Sequence, residues 1–108
     1  MLAPWYDAWR AAASQHLTAQ AWLQGGGQET TLLSAATQLT HHGIIYIPPG
    51  YAPAPELMMD LEDMHGGSAW GAGTLAAPDG SRQPTKREIA ITKKQGEYFV
   101  SKASKLAA

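Results

Sequence analysis

Three consecutive glycines, at positions 25–27 in the string QGGGQET, form the pattern in this sequence that most directly suggests a ligand site. Successive glycines in front of a helix present several backbone N–H groups near the positive end of the helix dipole, and loops of this kind hold phosphates and other electron-rich ligand atoms. The string matches neither G-x-x-x-x-G-K-[ST] nor G-x-G-x-x-G. Taken alone, it fits two interpretations, a structural turn before a helix or a ligand-binding loop.

Three histidines, His41, His42 and His65, raise the alternative of a metal site. The acidic residues that could complete it are Glu56, Asp60, Glu62 and Asp63. Adjacent residues on a helix point about 100° apart, so His41 and His42 cannot both face one site. The acidic residues also lack the order of a calcium loop, and no G-x-S-x-G nucleophile elbow is present. We therefore expect no metal site, and the residues alone assign no catalytic group.

The composition excludes several classes of function. The 108 residues carry eight basic and nine acidic side chains, a formal charge of −1, so no strong positive field would attract nucleic acid. There is no cysteine, which excludes disulfides, thiolate catalysis and Cys-ligated metal. No apolar run reaches the length of a membrane span. We expect one cytoplasmic domain without an integral membrane segment, and the tryptophans near the N-terminus leave peripheral membrane association open.

Two elements follow the glycines directly. The spacing predicts a helix over residues 28–42, stopped by Gly43, with a broad apolar stripe made of Leu32, Leu33, Ala35, Ala36 and Leu39. Residues 44–47, Ile-Ile-Tyr-Ile, are β-branched and aromatic and are followed by Pro-Pro-Gly, which predicts a short buried strand. We expect the glycine loop to sit at the start of the helix and His41 in its last turn.

The second half of the chain reads as a long irregular stretch followed by a helix. Glycines and prolines are spread through residues 51–84, with a short helical turn predicted around residues 56–64. Thr85 and Glu88 have the spacing of a capping box, which predicts a helix from there to about Leu106. The apolar face predicted for this helix consists of Ile89, Ala90, Gly96, Phe99, Val100, Ala103 and Leu106. Gly96 in that face suggests close approach of another element.

Residues 1–24 differ in composition from the rest. They are rich in Ala and Gln, with apolar residues at helical spacing, and predict an N-terminal helix. Its tryptophans, Trp5, Trp9 and Trp22, would pack on a core or partner, or would anchor the helix at a membrane interface.

Five strings in residues 25–108 together resemble one family. They are GGGQETT at 25–31, HHGIIYIPPGY at 41–51, HGGSAWGAGT at 65–74, DGSRQPT at 79–85 and QGEYF at 95–99. In this order they resemble the WrbA-type NAD(P)H:quinone oxidoreductases, which are FMN-binding, flavodoxin-like proteins. The resemblance implies an α/β fold that is the C-terminal part of a doubly wound parallel sheet: a helix, one edge strand, a long loop and a C-terminal helix. Residues 1–24 would be an unrelated N-terminal helix, and residues 25–108 the family segment.

The resemblance also implies roles for individual residues. Gly25 and Gly26 match glycines of the loop that lies against the flavin ring. His41 matches a histidine that reaches the flavin from a neighbouring part of the assembly, and Tyr51 matches an aromatic residue near the quinone pocket. The Gly-rich stretch at 66–84 looks like an insertion that supports the family's tetramer. Ala69 and Ala77 are mild departures, since the family usually has Pro and Gly there.

By resemblance, the function is two-electron reduction of quinones through FMN with NAD(P)H as co-substrate. However, the family's FMN phosphate loop and its Thr-Arg-Phe or Thr-Arg-Tyr loop have no counterpart in these residues. The alternative is a non-catalytic fragment or interaction subunit that joins full-length relatives. On this view the strand at 44–47 has no neighbour in its own chain, and residues 1–24 supply apolar cover but no ladder hydrogen bonds.

Overall fold

The computed structural model describes residues 14–15, 19–21 and 23–107 of the chain. These residues form a small α/β arrangement of short parallel strands and three helices. The strands are β1 (Ser14–Gln15), β2 (Ala19–Ala21), β3 (Ile45–Tyr46) and β4 (Gly73–Leu75). The helices are α1 (Gln28–His41), α2 (Pro55–Met58) and α3 (Lys86–Ala107).

The four strands form two parallel pairs. β1 pairs with β3, with Ser14 opposite Ile45, and β2 pairs with β4, with Ala21 opposite Leu75. The ladder continues beyond the strands, since the Ala76 N–H donates to the Ala21 carbonyl at 2.8 Å. Residues upstream of the glycines thus contribute one strand to each pair.

Two expectations about the N-terminal segment are therefore wrong. Residues 14–15 and 19–21 are extended rather than helical, because they pair with strands that come later in the chain. They supply the ladder hydrogen bonds that we expected to be missing, and β3 does have a neighbour. The rest of the predicted N-terminal helix, including Trp5, Trp9 and Trp22, lies outside the described residues.

Helix α1 confirms the predicted element and its C-terminal stop. His42 is the C-cap and Gly43 follows with φ 66°. The Gly43 N–H donates to the Thr40 carbonyl and the Ile44 N–H to the Leu39 carbonyl, both at 3.0 Å, which is the Schellman pattern. Only part of the predicted apolar stripe is covered, because Leu32 is buried whereas Leu33 is exposed.

Helix α3 confirms the predicted capping box, but its buried face differs from the prediction. The Glu88 N–H donates to Thr85 Oγ1 at 3.2 Å, and the Thr85 N–H donates to Glu88 Oε2 at 2.9 Å. The buried residues of the helix are Glu88, Ile91 and Gln95. The predicted apolar face is wrong, since Ile89 and Val100 are exposed. Apart from the backbone of its own helix and its chain neighbours, a Cβ at Gly96 would meet no atom of the described residues within 4 Å.

The stretch predicted to be irregular contains one strand and part of the core. β4 was not predicted, and the helical turn is shorter than expected, ending at Met58. Ala54 and Met58 pack with Ala72 and with Ile91 of α3 into one buried cluster. β3 is confirmed as a strand, but Ile45 is 52% exposed, so the expectation of a buried strand is wrong.

Candidate functional site

The glycine loop at residues 25–27 has a conformation that side chains would oppose. Gly25 and Gly27 have φ of 71° and 86°, which L-residues with a Cβ rarely adopt. At Gly26, a Cβ would lie 2.7 Å from the Leu23 carbonyl oxygen, which accepts a hydrogen bond from the Gly26 N–H. Gly27 is the N-cap of α1, so the loop forms a sharp turn that leads directly into the helix.

This loop is also one wall of an open cavity of about 700 Å³. Residues 24–30, which include the loop and the first turn of α1, line one side. Residues 60–65 and Gly67 line the opposite side, and Leu75 also contributes to the lining. Apart from its two chain neighbours, no heavy atom of the described residues lies within 4 Å of the position that a Cβ at Gly25 would take, so the backbone there is open to a ligand. The glycines therefore form a turn before α1 and also line a cavity, so the structure is compatible with both interpretations.

The charged residues that line the cavity are acidic. They are Glu29, Asp60, Glu62 and Asp63, and no Lys or Arg is among the described residues of the lining. Arg87 lies behind this wall and forms an ion pair with Asp60, and its Nη1 is 3.8 Å from an Asp63 carboxylate oxygen. A hydrogen bond from the Glu62 N–H, together with Arg87, lowers the pKa of Asp60 below its ordinary value. The cavity therefore has a negative rim.

The wall at residues 60–67 is held where two backbone segments cross. A Cβ at Gly66 would lie 2.7 Å from the Gly73 carbonyl carbon and from the Thr74 nitrogen, so only glycine allows this approach. The Glu88 carboxylate spans the crossing, since it accepts the Gly66 N–H and the Thr74 hydroxyl, both at 2.9 Å. Arg82 donates to the same carboxylate at 3.0 Å and to the Leu75 carbonyl at 2.6 Å. The wall is thereby tied to β4 and to the start of α3.

Glu88 is 2% exposed, and its ionisation follows from these partners. Burial alone would raise the pKa of its carboxyl. The hydrogen bonds from Thr85, Gly66, Thr74 and Arg82 favour the charged form and outweigh burial, so the pKa of Glu88 is lowered. The carboxylate is ionised at neutral pH and acts as a fixed structural anion behind the cavity.

Gln28, the first residue of α1, joins the two walls of the cavity. Its Nε2 donates to the Thr74 carbonyl at 2.7 Å, and its Oε1 accepts the Gly67 N–H at 2.7 Å. Sequence reasoning did not single out Gln28, because both of its partners are about 40 residues away in sequence. The polar residue directly after a glycine loop was the one local signal that could have drawn attention to it.

The other predicted site residues do not join the glycine loop within this chain. α1 has 14 residues, so at 1.5 Å per residue His41 lies about 20 Å along the axis from the loop end of the helix. His41 and Tyr51 are both exposed, and neither lines the cavity. Within the described chain, the structure brings Gly25 and Gly26 together, but not His41 or Tyr51.

The histidines and acidic residues form no metal-binding group in the part of the chain that is described. His42 Nε2 lies 3.0 Å from Gln38 Nε2, and His65 Nδ1 lies 2.8 Å from the Gly66 carbonyl oxygen. No helix among the described residues is long and apolar enough to cross a bilayer.

Comparison with curated proteins identifies relatives named as NAD(P)H quinone oxidoreductases. Over 83 residues the chain is 57% identical to the NAD(P)H quinone oxidoreductase YCP4 of Candida albicans, covering 77% of this chain and 29% of that relative. It is also 57% identical over 82 residues to the NAD(P)H quinone oxidoreductase PST3 of the same organism, covering 76% of this chain and 41% of that relative. This chain is homologous to the NAD(P)H quinone oxidoreductases. The resemblance seen in the five strings is confirmed.

The homology covers a segment of these oxidoreductases, since the chain spans less than half the length of either relative. No protein-family model matches the chain. The minor allergen Cla h 7 of Davidiella tassiana is 39% identical over 115 aligned positions, covering 96% of this chain and 56% of that relative. Because the 24 residues before Gly25 make up more than a fifth of the 108, this alignment includes residues upstream of the glycines. The division of the chain at Gly25 into a non-family segment and a family segment stays a prediction.

Proposed function

We propose that this chain carries the flavin-ring side of an NAD(P)H:quinone oxidoreductase that reduces quinones by two electrons. The observation that carries the proposal is the cavity beside the glycine loop, in a chain homologous to proteins named NAD(P)H quinone oxidoreductases. A flavodoxin-like architecture, a tetrameric assembly and a cytoplasmic location belong to the same proposal and rest on the family resemblance.

The cavity suits the flavin ring of FMN better than its phosphate group. A volume of about 700 Å³ with an open glycine backbone suits a flat, uncharged ring. A phosphate group finds no Lys or Arg among the described lining residues and faces four carboxylates instead. We therefore assign the ring of the flavin to this cavity and do not assign its phosphate to any described residue.

When bound, the flavin supplies the redox chemistry, accepting a hydride from NAD(P)H and passing two electrons to the quinone. The contribution of this chain is to position and surround the ring. Gly25 lets the backbone approach the ring closely, and Gly26 allows the tight turn against the Leu23 carbonyl that places the loop there. The first turn of α1, which lines the cavity, is the positive end of the helix dipole. His41 would reach a ring only in a neighbouring copy, because it lies at the far end of α1. Tyr51, also exposed, would line the quinone pocket of such an assembly.

The missing phosphate contacts set an expectation for affinity. Each charge-assisted hydrogen bond contributes about 1.5–3 kcal/mol net. Loss of two or three of them removes about 3–9 kcal/mol, or roughly two to six decades in dissociation constant. We expect the isolated chain not to retain FMN at micromolar concentrations.

The test is turnover with flavin supplied in excess. Purified chain is mixed with NADH, benzoquinone and increasing FMN or riboflavin, and NADH oxidation is followed by absorbance. The proposal expects protein-dependent turnover that rises with flavin concentration and is lost in Gly25→Val, which fills the open backbone position. A rate equal to that of free flavin at every concentration would contradict the proposal.

A second candidate is an interaction subunit, and an open groove of about 490 Å³ favours it. The groove lies between the β2–β4 pair and α3, where Ile89 is 45% exposed, and the exposed Val100 continues the same side of the helix. The curated relatives contain further chain beyond the segment matched here, which could cover such a surface. The partner would be a full-length relative.

Sedimentation velocity of the chain mixed with PST3 tests this candidate. A species containing both chains, lost in the double variant Ile89→Lys and Val100→Lys, would support an interaction subunit. Independent sedimentation of the two proteins would exclude it.

A further inference from the structure

We infer that Gln28 is a positioning residue that sets the glycine loop at a fixed distance from the opposite wall of the cavity. The expected effect on flavin binding rests on the proposed function, whereas the hydrogen bonds of Gln28 do not depend on it. Gln28 directly follows the loop, and its amide bonds the Gly67 N–H of the opposite wall and the Thr74 carbonyl of β4, both at 2.7 Å. Any movement of the loop away from the wall must break one of these bonds.

The two groups that Gln28 contacts are themselves held in place. Thr74 also donates its hydroxyl to Glu88, and Gly66, next to Gly67, donates its N–H to the same carboxylate. The backbone crossing at Gly66 leaves no space for a Cβ. Gln28 therefore attaches the start of α1 to a rigid point rather than to a mobile loop.

Glutamine is the side chain that this position requires. One partner needs a donor and the other needs an acceptor, and a neutral amide offers both from the two ends of one planar group. A glutamate of the same length keeps the acceptor for Gly67, but at neutral pH it places a carboxylate oxygen against the Thr74 carbonyl. When protonated, that glutamate would again donate to Thr74. A leucine of similar volume offers neither bond.

This chemistry gives a test with three variants. Gln28→Leu removes both bonds, Gln28→Glu removes the donor reversibly, and Gln38→Leu is the control. Gln38 lies ten residues further along α1, is exposed, and contacts His42 at 3.0 Å. Amide hydrogen exchange by NMR reports the hydrogen bond between Gln28 and the Gly67 N–H directly. The Gly66 N–H is the internal reference, because it donates to Glu88 and not to Gln28. Riboflavin titration followed by fluorescence quenching reports the consequence for the cavity.

We expect Gln28→Leu to speed exchange of the Gly67 N–H at least tenfold relative to Gly66 and to weaken riboflavin binding about tenfold. Gln28→Glu should keep the protection of Gly67 but bind riboflavin weakly at pH 7, and its affinity should recover toward pH 5. The parent chain and Gln38→Leu should show no such recovery. A residue that only stabilises the fold would not produce a pH-dependent rescue confined to one variant.

Unchanged Gly67 exchange and unchanged riboflavin affinity in Gln28→Leu would overturn the inference. Weak binding by Gln28→Glu at every pH would also overturn it, and this variant serves if Gln28→Leu does not fold. If the parent chain binds no riboflavin but Gln28→Leu still speeds exchange at Gly67 and residues 25–27, the positioning role of Gln28 is supported and the proposed function fails. The two failures are therefore distinguishable.

Discussion

At the scale of single residues, the buried carboxylate of Glu88 has the largest number of described partners. Its local contact with Thr85 follows from the S/T-x-x-E spacing and was predicted. Its contacts with Gly66, Thr74 and Arg82 were not, because they join positions six to 22 residues apart through loops without periodicity. A charged residue on an amphipathic helix is ordinarily expected on the solvent side, so the apolar pattern gave no reason to include Glu88 among the buried residues of α3.

The variant Glu88→Gln should lower the free energy of unfolding by about 2–4 kcal/mol at pH 7. Both carboxylate oxygens of Glu88 accept hydrogen bonds, so the amide nitrogen of the glutamine would point at an N–H or O–H donor whichever oxygen it replaced. The substitution also removes the negative charge that pairs with Arg82. Urea denaturation measures the loss. The matched control is Glu97→Gln, since Glu97 lies on the same helix, is exposed and, among the described residues, forms an i,i+3 contact with Lys94 at 3.6 Å. Equal effects of the two substitutions would contradict the role given to Glu88.

The lowered pKa of Glu88 also predicts a pH dependence. The unfolded chain binds a proton near the ordinary glutamate pKa of about 4.3, whereas the folded chain binds it only at lower pH. The contribution of Glu88 is therefore fully present above about pH 4.3 and is lost as pH falls through the folded pKa. Urea midpoints measured from pH 6 to pH 3 should fall less steeply for Glu88→Gln than for the parent chain. Parallel curves would show that Glu88 does not titrate as inferred.

At the scale of elements, caps and helices were predictable, whereas strand pairing was not. Gly43 and the capping box at Thr85 are local signals, and both helices begin and end within a few residues of the prediction. β4 contains a glycine and has only three residues, and its partner β2 lies more than 50 residues earlier. Neither strand carries an apolar alternation that could identify it. Pairing between such short segments is decided by tertiary contacts, which local patterns do not contain.

The pairing of β2 with β4 can be tested with Ala21→Pro. The Ala21 carbonyl accepts the Ala76 N–H, and the N–H of a strand residue points to the same side as its carbonyl. Proline removes that donor from the ladder and should lower stability by about 1–3 kcal/mol. Gln20→Ala is the control, since it changes the adjacent exposed side chain and keeps the backbone donor. Thermal unfolding by circular dichroism would reveal the difference, and equal midpoints for the two variants would argue against this pairing.

Helix α3 gives a second test at this scale. Apolar spacing predicted that the side with Gly96 packs against another element, but the described chain leaves that side open. Gly96→Ala should therefore stabilise the chain by about 0.5–1 kcal/mol, because alanine restricts the unfolded backbone and meets no neighbour. Gly66→Ala should instead destabilise it, since its Cβ would lie 2.7 Å from backbone atoms. If Gly96→Ala lowers the urea midpoint or dissociates an oligomer, that side of α3 is in contact with a partner.

At the scale of the whole molecule, the sequence motifs located the glycine wall of the cavity but not the cavity itself. Gly25 and Gly26 were predicted site residues and line it, whereas the opposite wall comes from residues 60–67, which were read as an irregular stretch. His41 and Tyr51 lie elsewhere on the chain, so their predicted roles require an assembly. The negative rim could not be predicted, because it depends on which acidic side chains the folded loop turns toward the glycines.

The most direct test of the account compares riboflavin with FMN as ligands of the purified chain, by quenching of flavin fluorescence at matched ionic strength. We place a neutral ring in the cavity and assign no phosphate to it. We therefore predict that riboflavin binds at least as tightly as FMN, and that added salt reduces any difference between the two dissociation constants by screening the acidic rim. FMN binding tenfold or more tighter than riboflavin would reveal a phosphate site in this chain. Absence of quenching by either flavin, even with the chain in large excess and well above micromolar concentration, would contradict the assignment of the cavity.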